Sequence, residues 1–391
     1  MKTARNTAPL ALFLIAVTLL AANLRAPLAA LGPLVGMIRA DLGSSGTFMG
    51  VVAALPMLAF ALFSPLAVRL SARFGAERVL AAAAALMAAG MAVRSWGPSE
   101  TLLALGTLLL AAAVAMGNVL LPALAKRNLP SRVGLVVGTL SAGMSLSSAL
   151  AAAAAVPLAV RFGWQWSLAV WLFAALAACA AWLPLCRRGA QRPSETAVSD
   201  GLNAWKLPAA WCLSAFMGVQ SLLFYTLVNF LPSLLAEKGA DAAAAGNYVS
   251  LFQIGTLAGS LAVSARFARS GRRQLFNLAT ASLMLFGVLG LWLAPAGSAW
   301  LWVMLAGAGA SGSFSSALML FALRASDSRT TAALSGMAQT VGYSIAVAGP
   351  LGIGMLYDRF GSWSASLSLL AALMVFECVL AWFAAKPEII R

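Results

Sequence analysis

The sequence places one arginine inside a long apolar stretch. Arg25 lies in AANLRAPLAALGP, residues 21–33, and no charged residue occurs in residues 6–24 or 26–38. A guanidinium is permanently protonated and presents a planar fork of N–H donors, so its natural ligand is an anion or a strong acceptor such as a carboxylate, a nitro group or cyanate. A substrate anchor is one interpretation of Arg25. A salt bridge that locks two helices is the other.

The composition decides which kind of element carries this arginine. The chain has 391 residues, of which 62% are hydrophobic and 9% charged, with a mean hydropathy of +0.90. Soluble domains have about 25% charged residues. Apolar runs of 18 or more residues recur without the alternation of a membrane barrel, so we expect an integral membrane protein that spans the lipid bilayer as helices.

Twelve apolar runs predict twelve transmembrane helices. A polar stretch after the sixth run divides the chain into an N-terminal bundle (1–186), a cytoplasmic linker (187–206) and a C-terminal bundle (207–391). The halves repeat: Asp41 corresponds to Asp241, and Pro33 to Pro232. This register matches the first helix to an uncharged run, residues 207–236, and predicts that the first helix continues past Arg25. A charge at that depth costs several kcal/mol unless it meets water, a partner or a ligand.

Three strings carry a resemblance to a known family. They are NLRAPLAALGP, GNVLLPALAKR (117–127) and LRASDSRTTAALSGMAQTVGYSIAVAGP (323–350). With the duplicated six-helix layout, they resemble the cyanate and 2-nitroimidazole transporter family of the major facilitator superfamily, with its nitroimidazole exporters the nearer branch. The resemblance implies an all-α fold of two pseudo-symmetric six-helix bundles and a secondary transporter that works by alternating access.

The resemblance also implies which helices line a central cavity: the first, fourth, seventh and tenth, flanked by the second, fifth, eighth and eleventh. Their polar residues at membrane depth are candidates for substrate binding beside Arg25, although each one alone also suits a hydrogen bond between helices. The candidates are Asn23, Asn118, Gln220, Tyr225, Asn229, Gln253, Gln339 and Tyr343. Glu377, the only other charge far inside a run, falls in the twelfth helix, which this fold places at the periphery.

Gating is predicted at two places. The loops RFG and RSGRR resemble the superfamily's loop motif and supply the basic residues Arg73, Arg78, Arg269 and Arg272, which positive charge on the cytoplasmic side also explains. The aspartate that usually precedes the basic residue is replaced by Ala72 in the first loop and Ala268 in the second, so the ion pair built on that carboxylate is in doubt. Gly349 and Pro350 predict a hinge in the eleventh helix, with close packing as the alternative.

Several function classes lack their machinery in this sequence. There is no histidine, no Walker A string and no Gly-x-Ser-x-Gly elbow, so we expect neither an enzyme nor an ATP-driven pump. No metal or cofactor site and no nucleic-acid partner are predicted, and a monomer is expected. The partners are a small-molecule substrate and the lipid bilayer. A broader drug efflux carrier and a non-transporting membrane sensor are the alternatives to a transporter for small anions or nitro-heterocycles.

The distribution of basic residues predicts the orientation in a bacterial inner membrane. Of the 26 lysines and arginines, Arg25 lies within the membrane and 20 fall on the terminal side. Five fall in loops opposite the termini: Arg39, Arg94, Arg161, Lys238 and Arg359. Such a bias marks the cytoplasmic side. A tag at either terminus should therefore resist external protease in intact cells. Cleavage of either tag from outside would contradict the twelve-helix layout.

Overall fold

The computed structural model describes residues 7–189, 204–239 and 242–390. These residues form fourteen α-helices, short 3-10 turns and one isolated bridge between Ala325 and Ile390. The helices are α1 (Thr7–Ala29), α2 (Val35–Leu42), α3 (Gly46–Phe74), α4 (Ala76–Ser95), α5 (Glu100–Asn128), α6 (Val133–Phe162), α7 (Trp164–Ala169), α8 (Trp171–Gly189), α9 (Pro208–Glu237), α10 (Ala242–Arg266), α11 (Arg273–Leu293), α12 (Ala299–Arg324), α13 (Ser328–Phe360) and α14 (Trp363–Ala384).

Twelve helical stretches of the described chain are long and apolar enough to cross a membrane. Helices α1 and α2 together make the first, Ala11–Leu42, and α7 and α8 together make the sixth, Trp164–Cys186. Each of the other ten corresponds to one helix. The predicted all-α class and the predicted number of membrane helices are confirmed.

The first span is interrupted beyond Arg25, not at it. Helix α1 runs through Arg25 to Ala29, which confirms the continuation that the repeat predicts. Pro33 then has no N–H with which to extend the helical hydrogen bonds, and residues 32–34 form a 3-10 turn. Because the backbone N of Leu31 donates to Leu28 O at 3.3 Å, the carbonyl of Pro27 is left without a partner from its own helix.

The chain forms two compact units, Met1–Leu124 with Leu146–Gly201, and Ala125–Ser145 with Leu202–Arg391. Helix α6 begins in the second unit. There the hydroxyl of Ser264 donates to Gly138 O, and the hydroxyls of Ser145 and Ser311 lie 3.2 Å apart. The division into bundles 1–186 and 207–391 stays a prediction, and most of the predicted linker, 187–206, lies outside the described residues.

One helix in each unit is far more enclosed than its neighbours. In the apolar 18-residue stretch of α5, 89% is buried, and in that of α12, 83% is buried. The corresponding share does not exceed 67% in any other described span. Glycine permits this enclosure. Gly106 of α5 packs directly on the backbone of α4, where a Cβ would overlap the backbone N of Arg94 and the carbonyl oxygen of Gly90.

Gly106→Ala should destabilise the first unit. The atoms that the new methyl group would meet are two backbone atoms and the Cβ of Arg94, none of which can rotate away, so overpacking should lower the free energy of unfolding by about 1–3 kcal/mol. The measurement is the melting temperature of the purified protein in detergent. Gly50→Ala is the matched control, because nothing lies within 4 Å of a Cβ at Gly50 of α3. Equal melting temperatures for the two variants would contradict this packing.

Candidate substrate-binding site

A fully buried arginine holds the end of the helix that carries Arg25. Arg94, in the last turn of α4, is 0% exposed. Its Nη1 donates to Pro27 O at 2.9 Å and its Nη2 to Leu168 O at 3.4 Å. The first carbonyl is the one that the interruption after α1 leaves without a helical partner, and the second lies where α7 gives way to α8. Arg94 therefore joins α1, α4 and α7 two residues beyond Arg25.

Arg25 itself is only partly buried, in contrast to Arg94. Its neighbours Asn23 and Leu24 are buried at 0% and 1% exposure, whereas part of the Arg25 side chain stays accessible. The role of Arg25 as a substrate anchor stays a prediction.

Two amides accompany Arg25 in the first unit. Asn23 donates from Nδ2 to Leu19 O at 2.8 Å, and its Oδ1 has no hydrogen-bond partner. The buried Asn118 of α5 likewise has an Oδ1 without a partner. The two helices approach at the adjacent residues, since a Cβ on Gly117 would touch the side chain of Leu24. Buried acceptors without donors are uncommon, and a ligand that carries an N–H can satisfy them.

The second unit groups four of the predicted residues on α9 and α13. Tyr225 and Tyr343 have ring centroids 6.4 Å apart. The buried Gln220 donates from Nε2 to Ala310 O at 3.4 Å, and the buried Gln339 donates from Nε2 to the hydroxyl of Ser335 at 2.9 Å, with its own Oε1 unpartnered. Aromatic faces and amides together can bind a small planar polar molecule.

The remaining two predicted residues differ from this group in burial and location. Asn229 is exposed, one turn beyond Tyr225 on α9. Gln253 is partly buried on α10, next to Phe252, whose ring packs against Phe224 with centroids 6.1 Å apart. Gln253 therefore lies beside a contact between α9 and α10.

A model of the Major Facilitator Superfamily matches residues 11–350. The chain belongs to this superfamily. It is therefore a membrane transporter and not an enzyme.

Two relatives confirm the narrower family that the three strings indicate. The 2-nitroimidazole transporter of Escherichia coli is 37% identical over 380 residues, which cover 96% of this chain and 95% of the relative. The cyanate transport protein CynX of the same bacterium is 28% identical, over 90% of this chain and 91% of the relative. The solved structure of the proton:xylose symporter XylE matches with a TM-score of 0.77 over 96% of both chains; at 14% identity it shows the fold alone.

The basic loop residues of this transporter are exposed. Arg73 stacks over the ring of Phe74 at 5.1 Å, and Gly75 follows with a φ of 86°, a conformation that glycine adopts without strain. Arg78 lies exposed in the first turn of α4, and Arg269 and Arg272 are exposed around the corresponding loop before α11. Their gating role stays a prediction.

Close packing accounts for Gly349. The helix α13 continues through Gly349 and Pro350 without a break. A Cβ on Gly349 would meet Leu222 and the hydroxyl of Thr226, both on α9. A hinge at this position stays a prediction.

The third string of the family resemblance contains a helix cap. The carboxylate of Asp327 accepts a hydrogen bond from the backbone N of Thr330 at 2.8 Å and so caps the start of α13. Partial burial raises the pKa of this carboxyl, but hydrogen bonds from Thr330 and Ser326 outweigh burial and hold the pKa below its ordinary value. Arg324, just before the cap, donates from Nη1 to Ala384 O at 2.9 Å and ties α12 to the end of α14.

Sequence reasoning misplaced Arg94. The sequence counts it among the loop residues opposite the termini, but it lies inside α4 and is fully buried. Arg94 lies at the end of an apolar run, where exposed loop charges also occur. Hydropathy alone therefore does not distinguish a buried helical arginine from an exposed loop arginine. The closely spaced Gly90 and the later Gly106 are the only signal that α4 packs tightly here.

Arg94→Lys should lower the free energy of unfolding by about 1–3 kcal/mol. A lysine keeps the buried charge, but its single ammonium cannot replace two separate nitrogens that bind two carbonyls, so at least one carbonyl loses its donor. The melting temperature of the purified protein measures the loss. The exposed Arg161→Lys, in the same unit, should melt like the parent. If Arg94→Lys also melts like the parent, the two hydrogen bonds do not stabilise α1.

Proposed function

We propose that the protein is a secondary transporter for a small anion or a polar nitro-heterocycle of the cyanate or 2-nitroimidazole type, which it moves by alternating access. The partly accessible side chain of Arg25, between the buried Leu24 and Ala26 of α1, is the observation that carries the proposal. The two relatives named for 2-nitroimidazole and cyanate support the substrate class, since both names describe acceptor-rich molecules. The location is the bacterial inner membrane, with both termini in the cytoplasm.

The residues of the first unit suit such a substrate chemically. Arg25 offers a planar pair of donors to a nitro group or an anion. Asn118 offers an acceptor to a ring N–H, and so does Asn23, which lies two residues from Arg25 and therefore on a different side of α1. Cyanate, which is linear and anionic, uses the charge of the guanidinium and little of its fork.

The second unit carries residues with a different chemistry. The rings of Tyr225 and Tyr343 offer flat surfaces to a heterocycle, and Gln220 and Gln339 offer amides. We include these four residues, with Asn229 and Gln253, among those proposed to contact the substrate during transport.

Arg25→Ala should reduce the affinity for 2-nitroimidazole by about ten- to 150-fold, because a charge-assisted hydrogen bond worth about 1.5–3 kcal/mol is lost. Arg25→Lys keeps the charge but not the fork. Arg25→Lys should therefore lose nearly as much affinity for 2-nitroimidazole as Arg25→Ala does, and less affinity for cyanate. The measurements are ligand affinity and melting temperature on the same purified variants.

A matched control separates this role from a general effect of charge. Arg39→Ala removes an exposed cation from α2 of the same unit and should leave both affinities unchanged. A structural role for Arg25 predicts the opposite pattern, with a lower melting temperature for Arg25→Ala and affinity changed only as stability changes. Parent-like affinity in a well-folded Arg25→Ala protein would contradict the anchor.

A further inference from the structure

One carboxylic acid lies deep within the spans of the described chain. Glu377 is in the middle of α14, whereas the other acids in the twelve described spans lie within two residues of a span end. Those others are Asp41, Glu77, Glu100 and Glu237. Glu377 therefore calls for a separate explanation.

The side chain of Glu377 occupies a core position of the second unit. Helix α14 buries a regular stripe that includes Leu370, Met374, Glu377, Ala381 and Ala384. Glu377 is 0% exposed. The sequence assigns it to a peripheral helix, but its carboxyl points towards Ser313 of α12, the most enclosed helix of this unit.

The carboxyl lies beside a polar cluster but lacks hydrogen bonds of its own. Neither Oε1 nor Oε2 of Glu377 has a partner, and the hydroxyl of Ser313 approaches without the geometry of a hydrogen bond. One turn along both helices, Asn277 of α11 donates to Ala381 O at 2.7 Å and accepts from the hydroxyl of Ser316. The polar groups of this cluster hydrogen-bond to one another, and none of them hydrogen-bonds to the Glu377 carboxyl.

No charged side chain of the described chain compensates Glu377. The next residue, Cys378, carries a titratable thiol, whose partner is Ser282 at 3.8 Å. Ionic residues on the helices packed around it lie near the helix ends: Glu237 on α9, Arg273 on α11, Arg324 on α12, and Arg329, Asp358 and Arg359 on α13. Other titratable side chains on these helices are Cys212, Tyr225, Tyr343 and Tyr357, and none of them acts electrostatically on the carboxyl.

We propose that Glu377 is the proton-binding site of this transporter. An unpaired buried carboxylate costs several kcal/mol, so in this conformation the group binds a proton and is a neutral acid. In the transport cycle the carboxylate takes one proton from the water on one side of the membrane, and the acid releases that proton on the other side. The proposal rests on the transport activity proposed above and gives that transport a source of energy.

One turn of α12 connects this site to a proposed substrate residue. Ala310 O accepts from Gln220 at 3.4 Å, and Ser313, which faces Glu377, follows three residues later on the same helix. A change of charge at Glu377 acts on Ser313 and so biases the position of the Ala310 carbonyl. Proton binding at Glu377 can therefore affect substrate binding at Gln220 through a small shift of this turn of α12.

Infrared spectroscopy tests proton binding without any substrate. Exposed carboxyls ionise near pH 4, so at neutral pH the purified parent should show the C=O stretch of one protonated carboxylic acid, and Glu377→Gln should lack it. Cys378→Ala is the matched control, because it removes the adjacent titratable group and should keep the band. A parent without the band, or a Glu377→Gln protein that retains it, would overturn the proposal.

A second variant covers the case in which Glu377→Gln does not fold. Glu377→Asp retains an acid but moves its carboxyl by the length of one methylene group, so the frequency of the band should shift. A band at the parent's frequency would assign the proton to another carboxyl and overturn the proposal.

Transport in vesicles tests whether the proton drives substrate movement. With the membrane potential clamped, an imposed pH gradient should drive uptake of labelled 2-nitroimidazole by the parent, after subtraction of uptake by protein-free vesicles. Glu377→Gln should retain substrate exchange within about twofold and lose the gradient response at least tenfold. An equal gradient response in both proteins refutes the coupling. Absence of exchange by the parent refutes the proposed substrate instead, and the infrared result alone then decides for or against the proton site.

Discussion

The hydrogen bonds from Arg94 to the carbonyls of Pro27 and Leu168 constrain the first unit. An apolar interior cannot hold a free cation or a free carbonyl at low cost, but it holds both when each satisfies the other. The interruption of the first span would be unfavourable without such a donor, and Arg94 would be unfavourable without the interruption. This mutual dependence sets where α1 ends and thus where Arg25 lies.

Two arginines of the first unit, Arg94 and Arg25, differ in burial and in their surroundings. Arg94 is fully enclosed and bound to backbone carbonyls, so it stabilises a helix junction. Arg25 is partly accessible, and Asn23 and Asn118 of the same unit have side-chain oxygens without a protein partner. Burial and partners distinguish the structural cation Arg94 from Arg25, the proposed substrate anchor, whereas residue type does not. Glu377 completes the contrast as a buried charge site without an ionic partner, which is the condition that favours proton binding.

The sequence predicts much of this because the repeat fixes the register. Matching the first helix to residues 207–236 was enough to place Arg25 inside the membrane, and the strings around Arg25 and in residues 323–350 were enough to indicate the family. The role of Arg94 could not be predicted, because its partners become free only where two helices are interrupted in three dimensions. The burial of Glu377 could be predicted, since the spacing of apolar residues in α14 places it on the buried stripe. Its neighbour Ser313 could not be predicted, because the sequence assigns α14 to the periphery.

A cycle of affinities between Arg25 and the nitro group tests the central claim most directly. The four values are the affinities of 1-methyl-2-nitroimidazole and 1-methylimidazole, at a pH where both are neutral, for the parent and for Arg25→Ala. If the guanidinium binds the nitro group, loss of that group should weaken binding strongly in the parent and little in the variant, with a coupling energy of about 1.5–3 kcal/mol. Additive losses, with a coupling near zero, would show that Arg25 and the nitro group do not interact and would contradict the account.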